Sequence, residues 1–258
     1  MSGVYTAMPL WVVLTSLVAA ALILALGEPF GRTRSTINLV AAVVKLVLVC
    51  VMLWGVGQGH DFQFTATLAP GIDFHLHADA LTMLLSVLSA ILWLVTTVYA
   101  IGYLEDSHDR ARFFGFFSLC VTATMGVAAA GNLFTFFIFY ELLSLSTWPL
   151  VVHDGTPRAM RAGVAYLAFT LGGGAVLLVG IVVVQLLAGD TGFTPGGFMA
   201  ATGASKTLLT CVFLLLFSGT AVKAAMVPLH VWLPRAMVAP APVSALLHAV
   251  AVVKAGAF

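Results

Sequence analysis

Seven stretches of about twenty residues run through this sequence almost without charge, at 7–27, 37–57, 79–104, 113–130, 132–152, 162–188 and 207–227, and an eighth opens at 243. A helix needs roughly 20 apolar residues to cross a bilayer. Lipid offers the backbone no hydrogen bonds, so a spanning chain must satisfy its own N–H and C=O groups, as helices do. With 61% hydrophobic and only 8% charged residues, against about 25% charged in a soluble domain, the chain is expected to be an all-α polytopic membrane protein. It should carry about seven to eight transmembrane helices.

The few charges sort by connection. Arg32 and Arg34 follow the first run, Arg110 and Arg112 the third, Arg158 and Arg161 the fifth, and Arg235 the seventh. The opposite connections carry only Lys206. This bias places the arginine loops in the cytoplasm and the N-terminus on the periplasmic or extracellular side of a plasma or inner membrane. No Lys or Arg precedes the first run, so it reads as a retained helix, not a signal peptide. A net charge of +1 argues against nucleic acid as a partner. Cys50, Cys120 and Cys211 are far apart and form no metal or disulfide spacing. All three are expected to be buried apolar filler, and no cofactor is called for.

Residues 1–78 read as a two-helix segment with an external loop, and 79–258 as the core. The loop QGHDFQFTATLAPGIDFHLHA (58–78) alternates on both sides of Pro70-Gly71, which predicts a short surface hairpin. His75 and His77 would share a strand face, but no acid or cysteine completes a metal set, so solvated loop histidines are favoured. EDSHDRAR (105–112) reads as a headgroup-level loop and GDTGFTPGGFMAATGASK (189–206) as an external one. Gly172, Gly173 and Gly174 follow no strand and precede no phosphate-loop Lys; close helix packing suits them better.

Glu141 is the only acid inside any apolar run. A carboxylate at mid-bilayer depth is costly unless it is paired, protonated or beside water. Lys223 and Lys254 could supply the pairing. At 4 Å, opposite charges interact by roughly 4 kcal/mol at an effective dielectric of about 20. Pairing would hold a proton on Lys223 and separation would favour its release. Pro228, Pro234, Pro240 and Pro242 follow within twenty residues of Lys223, so the seventh run should break into short pieces, as helices lining hydrated cavities do. The plainer alternative is an interfacial loop with a snorkelling Lys223. His248 and Lys254 lie six apart, about 120° off a shared face on a regular helix; only a bulge, an unwound turn or water would join them. Lys45 lacks an obvious acidic partner apart from Glu141, and is expected to snorkel or to face a neighbouring subunit, off the main proton path.

FTFFIFYELLSLSTWPLV around Glu141, KAAMVPLHVWLPRAMVAPAPVSALLHAVAVVKAGAF from Lys223, and ADALTMLLSVLSAILWLVTTVYAIGYL together resemble the antiporter-like subunits of respiratory complex I and of Mrp-type cation/proton antiporters. The likeness covers about residues 70–258, and the YELLSLSTWPLV form looks closer to the D-type subunits of the Mrp antiporters. The resemblance implies a first inverted repeat with a broken helix 7. It also implies a coupling pair at Glu141 and Lys223, proton carriers at His248 and Lys254, and support of the break by His230 beside Pro228. Ala241 stands where the family usually has Thr. The family fold has about fourteen helices in two inverted repeats, so the second repeat is expected to be missing from these 258 residues. Two functions compete. One is a proton-translocating subunit of a multisubunit monovalent cation/proton antiporter, partnered by other membrane subunits. The other is a proton-pumping subunit of an NADH–quinone oxidoreductase or membrane hydrogenase, whose redox centres would sit on partners. An inert scaffold is the third.

Overall fold

The structure, a computed structural model, describes residues 6–105, 107–189, 191–194, 197 and 199–258. The expected loops at 105–112 and 189–206 therefore lie outside the described residues at Asp106, Asp190, Pro195, Gly196 and Phe198. Seven helices are long and apolar enough to cross a membrane: α1 Met8–Leu26, α2 Gly31–Gly57, and, after a hairpin of β1 Phe62–Ala69 and β2 Ile72–Ala78, α3 Ala80–Tyr103, α4 Arg110–Ala128, α5 Leu133–Val151, α6 Pro157–Ala188 and α7 Lys206–Lys223. Short pieces follow: α8 Trp232–Ala236, α9 Ala241–Ala245 and α10 Val252–Ala257. The chain is a multi-pass helical membrane protein.

Helix starts are set by side-chain caps that occupy the free N–H groups of a first turn. Asp79 accepts from Thr82 N at 2.8 Å, Asn132 from Thr135 N at 2.7 Å, Thr156 from Ala159 N at 3.1 Å and Ser205 from Leu208 N at 3.3 Å. Pro157 sits in the first turn of α6, where its missing donor costs nothing. Several helices begin earlier than their apolar runs: α2 at Gly31, α4 at Arg110 and α6 at Pro157. Apolarity marks the hydrocarbon core, whereas the hydrogen-bond ladder continues through the charged headgroup turn.

α4 is the hub, with fifteen of its nineteen residues buried, enclosed by α1, α3 and α5. α2 is peripheral and buries a single stripe: Arg34, Asn38, Ala42, Lys45, Val49, Met52 and Gly55. At the arginine-poor end the predicted hairpin forms, antiparallel from Phe62–Ala78 to Ala69–Ile72, with a bulge between Thr67 and Ala69. It ties the loops together. Ala129 O accepts from His77 N at 2.7 Å, His75 O from Gly131 N at 2.8 Å, and Asp73 O from Asn132 Nδ2 at 2.8 Å. His75 and His77 do share a face, their rings 6.2 Å apart.

At the arginine end, just past α5, His153 is 1% exposed. Its ring stacks on His108 at 5.2 Å and meets Phe113 edge-on at 5.5 Å, and Arg112 donates to its carbonyl at 2.9 Å. Among the described residues neither ring nitrogen has a hydrogen-bond partner. Burial, with Arg112 and His108 nearby, holds its pKa below the ordinary value of 6.5. The unfolded chain therefore binds more protons below about pH 6.5, and stability falls as pH drops through that value toward the folded one. In detergent melts between about pH 7 and pH 5, the Tm of the wild type should fall more than that of His153→Phe. Parallel curves would remove this contribution.

Candidate functional site

Glu141 is the ninth residue of the nineteen in α5, so it stands at the middle of a spanning helix. Lys223 is the last residue of α7, four residues short of the end expected from hydropathy. The helix stops because Ala225 takes a left-handed conformation at φ 54° and Pro228 follows. The chain continues through a 3₁₀ turn, Leu229–Val231, into α8. The expected break is present, and snorkelling is excluded: Lys223 is 0% exposed and points inward. A cation at a helix C-terminus also complements the free carbonyls there.

The ammonium of Lys223 donates to the carbonyl of Tyr140, the residue before Glu141. It lies 3.3 Å from the centre of the Tyr140 ring, a cation–π contact strengthened by exclusion of water. Tyr140 returns the contact, its hydroxyl donating to Gly219 O at 2.9 Å. These two bonds lock α5 to α7 in one register. Glu141 is half-buried and turns toward α6, where its Oε1 has no hydrogen-bond partner among the described residues. It packs so closely on Gly174 that a side chain there would collide with the carboxylate. Among the described residues Glu141 and Lys223 form no direct ion pair, yet they stand within electrostatic range. Gly173 and Gly219 let α6 and α7 meet backbone to backbone. The glycine run is thus a packing element with one member, Gly174, shaped around the acid; Gly172 meets nothing.

Trp232 Nε1 donates to Val222 O at 2.7 Å and its ring meets Tyr166 edge-on at 5.4 Å. This folds α8 back against the end of α7. His230 and Pro228 lie in the break. His230 is half-buried with Nδ1 unpartnered, and Pro228 is exposed. The eighth run is also interrupted, by a π-turn at Leu246–Val250 and a non-helical Ala251. That is the bulge which the spacing of His248 and Lys254 required for a shared path. α10 then packs on α7, with Gly256 against the backbone of Lys223 and Ala224. Lys254 is half-buried, while His248 is exposed on this chain and is not gathered with Lys223.

Sequence reasoning missed several residues here. Tyr140, whose carbonyl receives the ammonium, carries no signal beyond its neighbourhood to Glu141. Cys120 Sγ lies 3.3 Å from Ser146 Oγ and 3.4 Å from Thr147 Oγ1, a buried polar patch between α4 and α5. Cys120 alone of the cysteines is buried; Cys50 and Cys211 are exposed. The filler expectation fails for those two because a membrane protein presents an apolar outer surface as well as an apolar core. Lys45 departs from expectation too: it is 0% exposed within this chain.

Residues 130–258 match the family model described as NADH:quinone oxidoreductase/Mrp antiporter, TM. The chain belongs to this family. Residues 67–114 also match the model of the NADH-ubiquinone oxidoreductase (complex I) chain 5 N-terminus. Among curated proteins, the chain is 32% identical over 235 residues to a putative antiporter subunit mnhA2 of Staphylococcus saprophyticus, covering 89% of this chain and 29% of the relative. It is 34% identical over 219 residues to an NAD(P)H-quinone oxidoreductase chain 5 of Picosynechococcus sp., covering 80% of this chain and 33% of that one. Neither relative is named as a D-type Mrp protein. The fold is shared with a chain of the Mrp complex from Dietzia sp. DQ12-45-1b, at a TM-score of 0.81, 23% identity, 96% of this chain and 27% of that chain. A chain of an archaeal membrane-bound sulfane sulfur reductase gives 0.79, 21%, 98% and 51%. This family member spans about a third of the curated relatives it matches.

The α5–α7 lock is testable by packing. A side chain at Gly219 meets the backbone of Leu177 and Gly173, so Gly219→Val should cost about 1–3 kcal/mol by overpacking and lower the Tm in detergent. Tyr140→Phe, which loses one buried hydrogen bond, should cost about 1 kcal/mol.

Proposed function

We propose that this chain is part of a proton-translocating subunit of a multisubunit monovalent cation/proton antiporter. The observation that carries the reading is the fully buried Lys223 at an interrupted helix end, bonded to the backbone beside the only mid-membrane acid. An ammonium there is held by one carbonyl and one ring face, both contacts that small motions of α5 or α8 can break. Movement of the Glu141 carboxylate toward or away from Lys223 would then favour retention or release of the proton. Buried hydroxyls of Ser144 and Thr147 lie on the arginine side of Glu141, on a route by which protons could arrive. Lys254, on α10 against the end of α7, would take the proton onward, with His248 inside the π-turn. His230 and Pro228 would hold the break open.

The arginine end is assigned to the cytoplasm and the N-terminus to the periplasmic or extracellular face of a plasma or inner membrane, on the positive-inside bias. Other membrane subunits are its partners and protons and a monovalent cation its cargo, in line with the antiporter name of the Staphylococcus relative. The Picosynechococcus relative favours a second reading, a proton-pumping subunit of a quinone oxidoreductase whose redox centres lie on other subunits.

In vesicles carrying the assembled complex, Glu141→Ala and Lys223→Ala should each abolish most coupled proton flux with assembly intact. Flux of wild-type size in both variants would reject the mechanism. Flux that requires a sodium or potassium gradient supports the antiporter; flux driven only by quinone reduction supports the second reading.

A further inference from the structure

A second lysine lies in the interior, well away from the Glu141–Lys223 region. Lys45 is 0% exposed, between α1, α2, α3 and α4. Its ammonium lies 2.5 Å from Ser16 Oγ on α1, and 4.9 Å from the centre of the Trp93 ring on α3. Ser16 Oγ also accepts from Thr122 Oγ1 of α4 at 2.8 Å. Among the described residues no acid forms an ion pair with Lys45. The other charged residue on its stripe, Arg34, pairs at the arginine end with Glu28, which precedes α2, at 3.3 Å. A structural cation without a counter-ion at this depth is unexpected, because buried charges are retained where they are paired or serve transport.

The stripe that buries Lys45 changes character along α2. On the arginine side it carries Asn38 and Arg34, about 10 Å and about 16 Å from Lys45 at 1.5 Å per residue. On the other side it continues as Val49, Met52 and Gly55. The polar half is lined by buried atoms with no hydrogen-bond partner among the described residues: both amide atoms of Asn38, Nε of Arg34, Oγ1 of Thr97 and Nε1 of Trp93. Trp93 stands level with Lys45, and Thr97 is one turn from it toward the arginine end of the antiparallel α3, so Thr97, Asn38 and Arg34 fall on one side of Lys45. Buried polar groups of this kind are satisfied by ordered water, which bonds two to four partners at a time.

We propose that Lys45 is a second buried proton-binding station, reached by a hydrated half-channel that opens at the arginine end and is closed beyond Lys45 by Val49 and Met52. Water at Asn38 and Thr97 passes a proton to or from the Lys45 amine, with Ser16 and Thr122 holding the amine in place. The station loads and unloads from one side, so it adds proton-binding capacity without a leak across the membrane.

The test is hydroxyl-radical footprinting by X-ray radiolysis of the complex in vesicles, which modifies side chains beside bound water. Trp93 and Trp232 are both fully buried, but the Trp232 indole is already bonded to Val222 O. Trp93 should be modified several-fold faster than Trp232, and Asn38→Leu should bring it down to the Trp232 rate. In pH-jump measurements from the arginine side, Lys45→Met should lose one proton equivalent of uptake per subunit, and Ser16→Ala should slow that uptake. Equal labelling of the two tryptophans, or full uptake in Lys45→Met, overturns the proposal. Glu141→Ala should leave Trp93 labelling unchanged, so the fate of the translocation mechanism does not decide this one.

Discussion

The bond between the Lys223 ammonium and the Tyr140 carbonyl organises the second half of this molecule. A fully buried cation must find acceptors, and α7 ends on Lys223 with its ammonium against α5. Tyr140 is bound twice, through its carbonyl to Lys223 and through its hydroxyl to Gly219, so the two helices cannot slide without losing both contacts. The glycines of α6 and α7 permit the approach that this register demands. The Trp232 indole, donating to Val222 O, then fixes where the chain goes after the break. Without the ammonium the Tyr140 carbonyl would still have Ser144 Oγ at 3.4 Å, so the loss would fall on the lock between the two helices.

The two fully buried lysines show how one residue type serves different surroundings. Lys223 ends a helix and leans on backbone and ring beside a carboxylate. Lys45 sits inside a continuous helix, held by the Ser16 hydroxyl and an indole face, with no acid bonded to it among the described residues. α4 stands between them, with Thr122 turned to Ser16 and Cys120 to Ser146 and Thr147. A helix with fifteen of nineteen residues buried can carry a polar face on two sides only because each hydroxyl also bonds back to its own ladder, as Thr122 does to Ser118 O and Thr124 to Cys120 O.

Much of the fold is legible in the sequence because the bilayer permits so few solutions. Seven apolar runs become seven helices. Asp79, Asn132, Thr156 and Ser205 mark four starts, and Pro70-Gly71 marks the hairpin. The break after Lys223 follows from the prolines, whereas the π-turn at Leu246–Val250 has no signal in the spacing of His248 and Lys254. Helix ends are less legible, since hydropathy reports the hydrocarbon layer and not the hydrogen-bond ladder. The inward face of α2 is not legible at all. Its buried positions recur with helical period, but an apolar outer face and an apolar inner face look alike in a membrane sequence, so Lys45 carries no sign of its direction.

The sequence by itself determined the helix count, the gathering of the arginines in alternate connections, the family and the rare charges worth following. Each of these depends on composition and spacing along one chain. Only the tertiary structure decided that Lys223 bonds the backbone next to Glu141 and not the carboxylate, that Glu141 turns to Gly174, and that Lys45 is enclosed. Those outcomes depend on helix rotation and approach, which are set by packing between residues as far apart as Ser16 and Thr122, 106 positions, and no local pattern encodes them.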